Sequence, residues 1–190
     1  MAKASSKPAN MQGRNNQTDA IALLTADHRA VTGLFKQFEE LTKQAADREQ
    51  KGRLVRQICT DLRVHAQVEE EVFYPAVREA IDDDALMDEA EVEHASAKEI
   101  IAQLEAMEPG DDHYDARVTV LAEQIEHHVM EEEGEIFGKA RKADVNTLEL
   151  GAEIAARKEE LKDELGADEE DPSAARLTDP ESRKERENRK

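Results

Sequence analysis

Four of the six histidines, His28, His65, His94 and His128, stand in register with apolar side chains at alternating three- and four-residue steps. On two of these stripes a glutamate follows four residues later, giving the pairs His65–Glu69 and His128–Glu132. Residues four apart share one helix face, so each pair points the same way. A single histidine in such a stripe is ordinarily a hydrogen-bonded core residue. The two glutamates resist that reading, because burying an unpaired carboxylate costs several kcal/mol even after relaxation. The only positive groups near them are imidazoles, whose own charge is costly to bury. A structural His–Glu network therefore competes with metal binding, and metal answers all six groups at once. Mixed imidazole and carboxylate donors suit iron, manganese or zinc rather than calcium or soft copper. Six protein groups exceed one tetrahedral zinc site, whereas two cations sharing Glu69 and Glu132, with two histidines each, use the whole set. His127 lies about 100° around the helix from His128 and faces away; His113 falls in a loop after Asp111-Asp112.

Four helices are needed to position these residues. The first opens at Thr18-Asp19 and carries Ile21, Leu24, His28, Val31, Phe35 and Phe38. The second carries Leu54, Ile58, Leu62, His65, Glu69, Val72 and Ala76, with Pro75 expected to end or kink it. The third follows Asp82-Asp83-Asp84 with Met87, Ala90, His94, Ala97, Ile101 and Leu104. The fourth follows Pro109-Gly110 with Val118, Leu121, Ile125, His128, Glu132 and Ile136. Short connections favour an antiparallel up-down-up-down bundle. In an antiparallel hairpin, residues equidistant from the turn share a level. The midpoint of His28 and His65 falls at Ala46-Asp47, that of Glu69 and His94 at Ile81-Asp82, and that of His94 and His128 at Asp111. Each is a place where the pattern independently breaks, so the six side chains are expected at one level. An internal duplication supports this: HAQVEEEVFYP (65–75) aligns with HVMEEEGEIFG (128–138), and an acid precedes each remaining histidine, in Asp27-His28 and Glu93-His94.

The 190-residue chain carries 45 Asp and Glu against 26 Lys and Arg, a net charge of −19. That charge argues against nucleic acid, whose phosphates need a basic face, and against anionic membrane surfaces. Hydrophobic residues make up 38% and aromatics 3% with no Trp, the composition of packed helices. Cys59 is the single cysteine, so it reads as a small core hydrophobe. No apolar run is long enough to span a membrane or follows the early lysines as a secretory signal, which makes the cytoplasm the expected location. The expected fold is all-α: a disordered leader over 1–17, a four-helix bundle over 18–143, a short accessory fifth helix over 144–165, and a disordered charged tail over 166–190.

Through DHRAV around His28, HAQVEEEVFYP from His65, EHASAK around His94 and HHVMEEEGEIF from His127, the sequence resembles the hemerythrin-like, or HHE cation-binding, family. The resemblance implies a non-haem di-iron centre: two carboxylate-bridged iron ions, joined also by an oxo, hydroxo or water oxygen. His28, His65, Glu69, His94, His128 and Glu132 match the ligand positions. It further implies interaction with dioxygen, peroxide or nitric oxide, or the handling of iron. The chain departs from the oxygen-carrying members in two places. Ala90 and Lys98 stand where a second histidine of the third helix is expected, and the acid of the fourth helix is Glu132, four residues after the histidine rather than five. With four histidines, both irons keep exchangeable positions. A peroxide-decomposing or oxidase-type di-iron enzyme is the alternative, and a metal-free helical interaction module with a protein partner is the third.

Overall fold

The computed structural model describes residues 18–44 and 47–168, with side chains as far as Leu165. The leader, Ala45-Ala46 and the tail beyond Asp168 lie outside the described residues. Seven α-helical stretches follow one another: α1 (Ala20–Lys43), α2 (Arg48–Val68), α3 (Tyr74–Ala80), α4 (Asp84–Glu105), α5 (Tyr114–Glu131), α6 (Phe137–Lys142) and α7 (Thr147–Asp168). The π-helical segments Glu69–Phe73 and Glu132–Ile136 join α2 to α3 and α5 to α6 without a break. The described residues thus form five rods and no strand, and none of the helices is long and apolar enough to cross a membrane.

Local signals explain where the rods begin and turn. Asp19 caps α1, its carboxylate accepting from the Ala22 N–H at 3.2 Å, and Asp83 caps α4 through the Leu86 N–H at 3.3 Å. The turn between α4 and α5 uses Gly110 at φ 100°, a conformation that a side chain would strain.

Two apolar clusters form the core, one toward each end of the bundle. One gathers Ile21 and Leu24 near the start of α1, Met87 and Ala90 near the start of α4, Phe73 and Val77 late in α2–α3, and Ile136 and Phe137 late in α5–α6. The other gathers the opposite ends: Phe35 and Phe38, Val55 and Ile58, Ile101 and Leu104, Val118 and Leu121. Chain direction therefore alternates from rod to rod through the first four. The histidine layer lies between the two clusters.

The π segments explain one departure from the expected pattern. A π turn inserts a residue into the i→i+4 ladder: the Tyr74 N–H reaches the Glu69 carbonyl, and the Phe137 N–H that of Glu132. Beyond the first segment the buried face shifts by one residue. Phe73 and Val77 are buried where constant periodicity expected Val72 and Ala76, which are only partly covered. Pro75 does not end the rod, which runs on to Ala80. Nor does Pro75 cause the π turn, because the matching segment at Glu132 is followed by Gly138 instead.

The fifth rod, α7, packs along α1 and α2 and buries Ile154 and Leu161 in the first cluster. Gly151 permits this approach; a Cβ there would stand 1.9 Å from the Thr18 carbonyl oxygen.

Candidate metal centre

His28 from α1, His65 from α2, His94 from α4 and His128 from α5 turn their Nε2 atoms toward one another, with Glu69 and Glu132 between them. The Nε2 atoms of His28 and His65 are 3.1 Å apart, as are those of His94 and His128. Two ring nitrogens this close need one shared proton or a common cation. Glu69 Oε2 stands 3.2 Å from His65 Nε2 and 3.4 Å from His94 Nε2. Glu132 Oε2 stands 3.1 Å from His28 Nε2 and 4.0 Å from His128 Nε2. Each carboxylate thus reaches across both histidine pairs. Two donor groups result, His28–His65–Glu69–Glu132 and Glu69–His94–His128, each with donor atoms within 4.8 Å of one another. All six residues are buried, both glutamates completely. None of the four glutamate oxygens makes a well-aligned hydrogen bond, although Oε2 of each lies within ion-pair distance of two imidazoles. Buried carboxylates whose neighbours are imidazole nitrogens fit divalent cations in chemistry.

A second ring of carboxylates holds the imidazoles from behind. The Nδ1 atoms of His28, His65, His94 and His128 face Glu133 at 2.8 Å, Asp27 at 3.4 Å, Glu70 at 3.0 Å and Glu93 at 2.8 Å. Donation from Nδ1 fixes the tautomer and leaves the Nε2 lone pair directed inward. Each outer acid is the chain neighbour of a different inner residue: Asp27 precedes His28, Glu93 precedes His94, Glu70 follows Glu69 and Glu133 follows Glu132. The duplicated sequence thus produces a pseudo-two-fold arrangement in which each of the first four rods supplies one inner histidine and braces another. Lys98 binds Glu70 at 2.5 and 2.6 Å, and Lys158 binds Asp27.

The two buried carboxylates do not ionise alike. Burial and the charge of Glu69 push Glu132 up to about 8. Glu69 is held far below the ordinary carboxylate range by His65 and His94, which outweigh its own burial. Burial opposes the charged forms of His28 and His94. The close contacts and charge of Glu132 and Glu69 outweigh it and raise each to about 9. His128 is lowered, by burial and by the neighbouring His94 charge. Without metal, the centre is therefore a set of buried anions and imidazoles knitted together by protons.

Tyr74 also reaches the site, a role that constant helical periodicity hides. Its hydroxyl lies 3.3 Å from His94 Nε2 and 3.5 Å from His128 Nε2. At about 100° per residue Tyr74 falls about 180° from His65 around the helix; the extra residue of the π turn brings it back toward the site. Its counterpart in the duplication, Phe137, stacks on His28 at 5.9 Å, so only one histidine pair has a hydroxyl beside it. His127 points outward with Glu131, as its position around the helix predicts, and both face Glu93 on the surface. Cys59 is buried in the second apolar cluster.

The hemerythrin HHE cation-binding domain family matches residues 19–140. With nearly two thirds of the chain matched, the protein belongs to that family. A DNA nickase from Nostoc sp. is 30% identical over 161 residues, or 82% of this chain; the chain spans 44% of that relative's length. A hemerythrin HHE cation binding domain-containing protein from Mycobacterium kansasii shares the fold, with a TM-score of 0.65 at 23% identity over 77% of this chain and 89% of that one.

Proposed function

We propose that this HHE domain is a non-haem di-iron protein. In this reading His28, His65, Glu69, His94, His128 and Glu132 hold two iron ions, and the centre binds dioxygen, peroxide or nitric oxide. The observation that carries the reading is the convergence of two completely buried carboxylates, Glu69 and Glu132, and four buried imidazole nitrogens, with no well-aligned hydrogen bond to either carboxylate. Iron bound there supplies open coordination positions and a redox couple. The chain's own residues do the rest. The outer carboxylates fix the imidazole tautomers, and Tyr74 offers one side of the centre a neutral hydroxyl, its phenol raised well above the ordinary value by burial and by Glu69 and Glu132. Beside the histidines a cavity of about 20 Å³, walled by Val31, Leu62, Ala97, Ile101 and Ile125, has room for about one water-sized molecule. A space of this size is on the scale of a small ligand.

The second reading is a peroxide-decomposing enzyme, favoured by the Tyr74 hydroxyl as a hydrogen-bonding group beside His94 and His128. The nickase activity is that of the whole Nostoc relative, of which this chain spans 44%. The test is to load the full-length protein anaerobically with ferrous iron and titrate it with nitric oxide and with peroxide. The binding reading predicts saturation by nitric oxide at a fixed ratio to iron and consumption of peroxide about once per centre. Sustained oxygen evolution from peroxide would establish the enzyme instead, and an iron-loaded protein inert to both reagents would contradict both readings.

A further inference from the structure

Two of the four outer carboxylates are themselves held by a lysine, and the two lysines differ in origin. Lys98, on Glu70, comes from α4 inside the bundle. Lys158, on Asp27, comes from α7, which lies beyond the last residue matched by the HHE family. The Lys158 ammonium engages both Asp27 oxygens, 2.5 Å from Oδ2, and Asp27 Oδ2 also faces His65 Nδ1. The lysine side chain is 15% exposed, so this contact is largely sealed from water. α7 is seated there by Ile154, Leu161 and the close approach of Gly151 to Thr18. Its neighbouring cation, Arg157, binds Glu71, an acid that touches none of the four histidines.

We propose that Lys158 is a positioning residue for the metal centre, acting through Asp27 to orient His65, so that docking of α7 is linked to retention of the ion on the His28–His65 side. The inference rests on the reading of the six buried residues as metal ligands. Without the ammonium, Asp27 at the bundle surface is free to turn to water, and His65 loses the acceptor that keeps its Nε2 directed inward. The linkage is reciprocal: a filled site fixes His65 and Asp27, and through them the seat of α7.

The experiment compares full-length wild type with Lys158→Met, Lys158→Arg, Arg157→Met, Asp27→Asn and the Asp27→Asn/Lys158→Met double variant. Each is loaded with ferrous iron, and loss of iron to an excess of a coloured ferrous chelator is timed. Orienting partners of metal-bound histidines are worth roughly 10–100-fold in metal affinity. Lys158→Met, one step further out, is therefore expected to release part of its iron roughly tenfold faster. Lys158→Arg restores the wild-type rate, Arg157→Met matches wild type, and the double variant is no faster than Asp27→Asn alone. A Lys158→Met rate equal to wild type overturns the inference. So does an equal acceleration by Arg157→Met, which would make α7 a scaffold only, or an additive double variant. A wild-type protein that takes up no iron overturns the reading of the centre and this inference with it; an iron-loaded wild type indistinguishable from Lys158→Met overturns the inference alone.

Discussion

In the metal-free centre Glu132, His28 and His94 hold their protons more tightly than free side chains do, raised to about 8, 9 and 9 by burial and by their close contacts with one another and with Glu69. Cations compete for the same lone pairs, so filling the centre must expel those protons. Metal uptake at pH 7 is expected to release protons, read from calorimetry in buffers of different ionisation enthalpy. Apparent affinity should climb between pH 7 and 9, and pH-independent uptake would contradict this assignment of the protons. The outer acids give a second expectation. Glu93→Gln keeps the shape but turns a charge-assisted acceptor into a neutral amide behind His128, and metal affinity should fall by roughly 10–100-fold. The outward His127→Ala should leave it unchanged. The inner six residues were legible in the sequence because the stripe, the i to i+4 pairs and the duplication agree. The braces were partly legible: the acid before each of His28 and His94 was visible as a repeat, and Glu70 and Glu133 stood among the acids beside the inner glutamates as candidates to orient an imidazole. That Asp27 braces His65 rather than its own neighbour is a cross-helix contact, which no one-dimensional pattern contains.

At the scale of elements, periodicity located the four rods and their turns but assumed a constant 3.6-residue turn through Glu69 and Glu132. The two π segments break that assumption where it matters most. They bury Phe73 and Val77 and bring Tyr74 to the histidines. Pro75 does not end the helix, and it lies just past a turn that the matching rod makes without any proline. Pro75→Ala should therefore leave the fold, the metal content and the environment of Tyr74 unchanged, as read by near-ultraviolet circular dichroism and elemental analysis. The fifth helix was legible as a helix, but its partner surface was not. Its closest contact is made by a glycine: Gly151→Ala sets a methyl against the Thr18 backbone oxygen, where neither side can yield as a side chain would. An overpacking cost of about 1–3 kcal/mol is expected, with faster hydrogen exchange in α7 than in α4.

Across the whole molecule, two apolar clusters sandwich a charged layer, and the stability of the bundle depends on what neutralises that layer. The signs follow from the folded values. His28 and His94, raised from 6.5 to about 9, contribute stability that is complete below pH 6.5 and lost as pH rises through 9. Glu132, raised from 4.5 to about 8, holds its proton more tightly when folded, so its contribution also disappears as pH rises through 8. All three slopes run the same way. The metal-free protein is expected to melt at progressively lower temperature between pH 7 and 9, while the metal-loaded protein, its protons already displaced, changes little. The gap between the two melting temperatures should widen with pH, and a constant gap would show that the buried layer is not neutralised by protons in this way.

The most direct test of the central claim is the iron content per chain, by elemental mass spectrometry, of wild-type, Glu132→Gln and His127→Ala proteins loaded anaerobically. Two irons per chain in wild type and His127→Ala, with a sharp loss in Glu132→Gln, is the predicted result. No iron in a folded wild-type protein, or iron lost from His127→Ala and kept by Glu132→Gln, would contradict it.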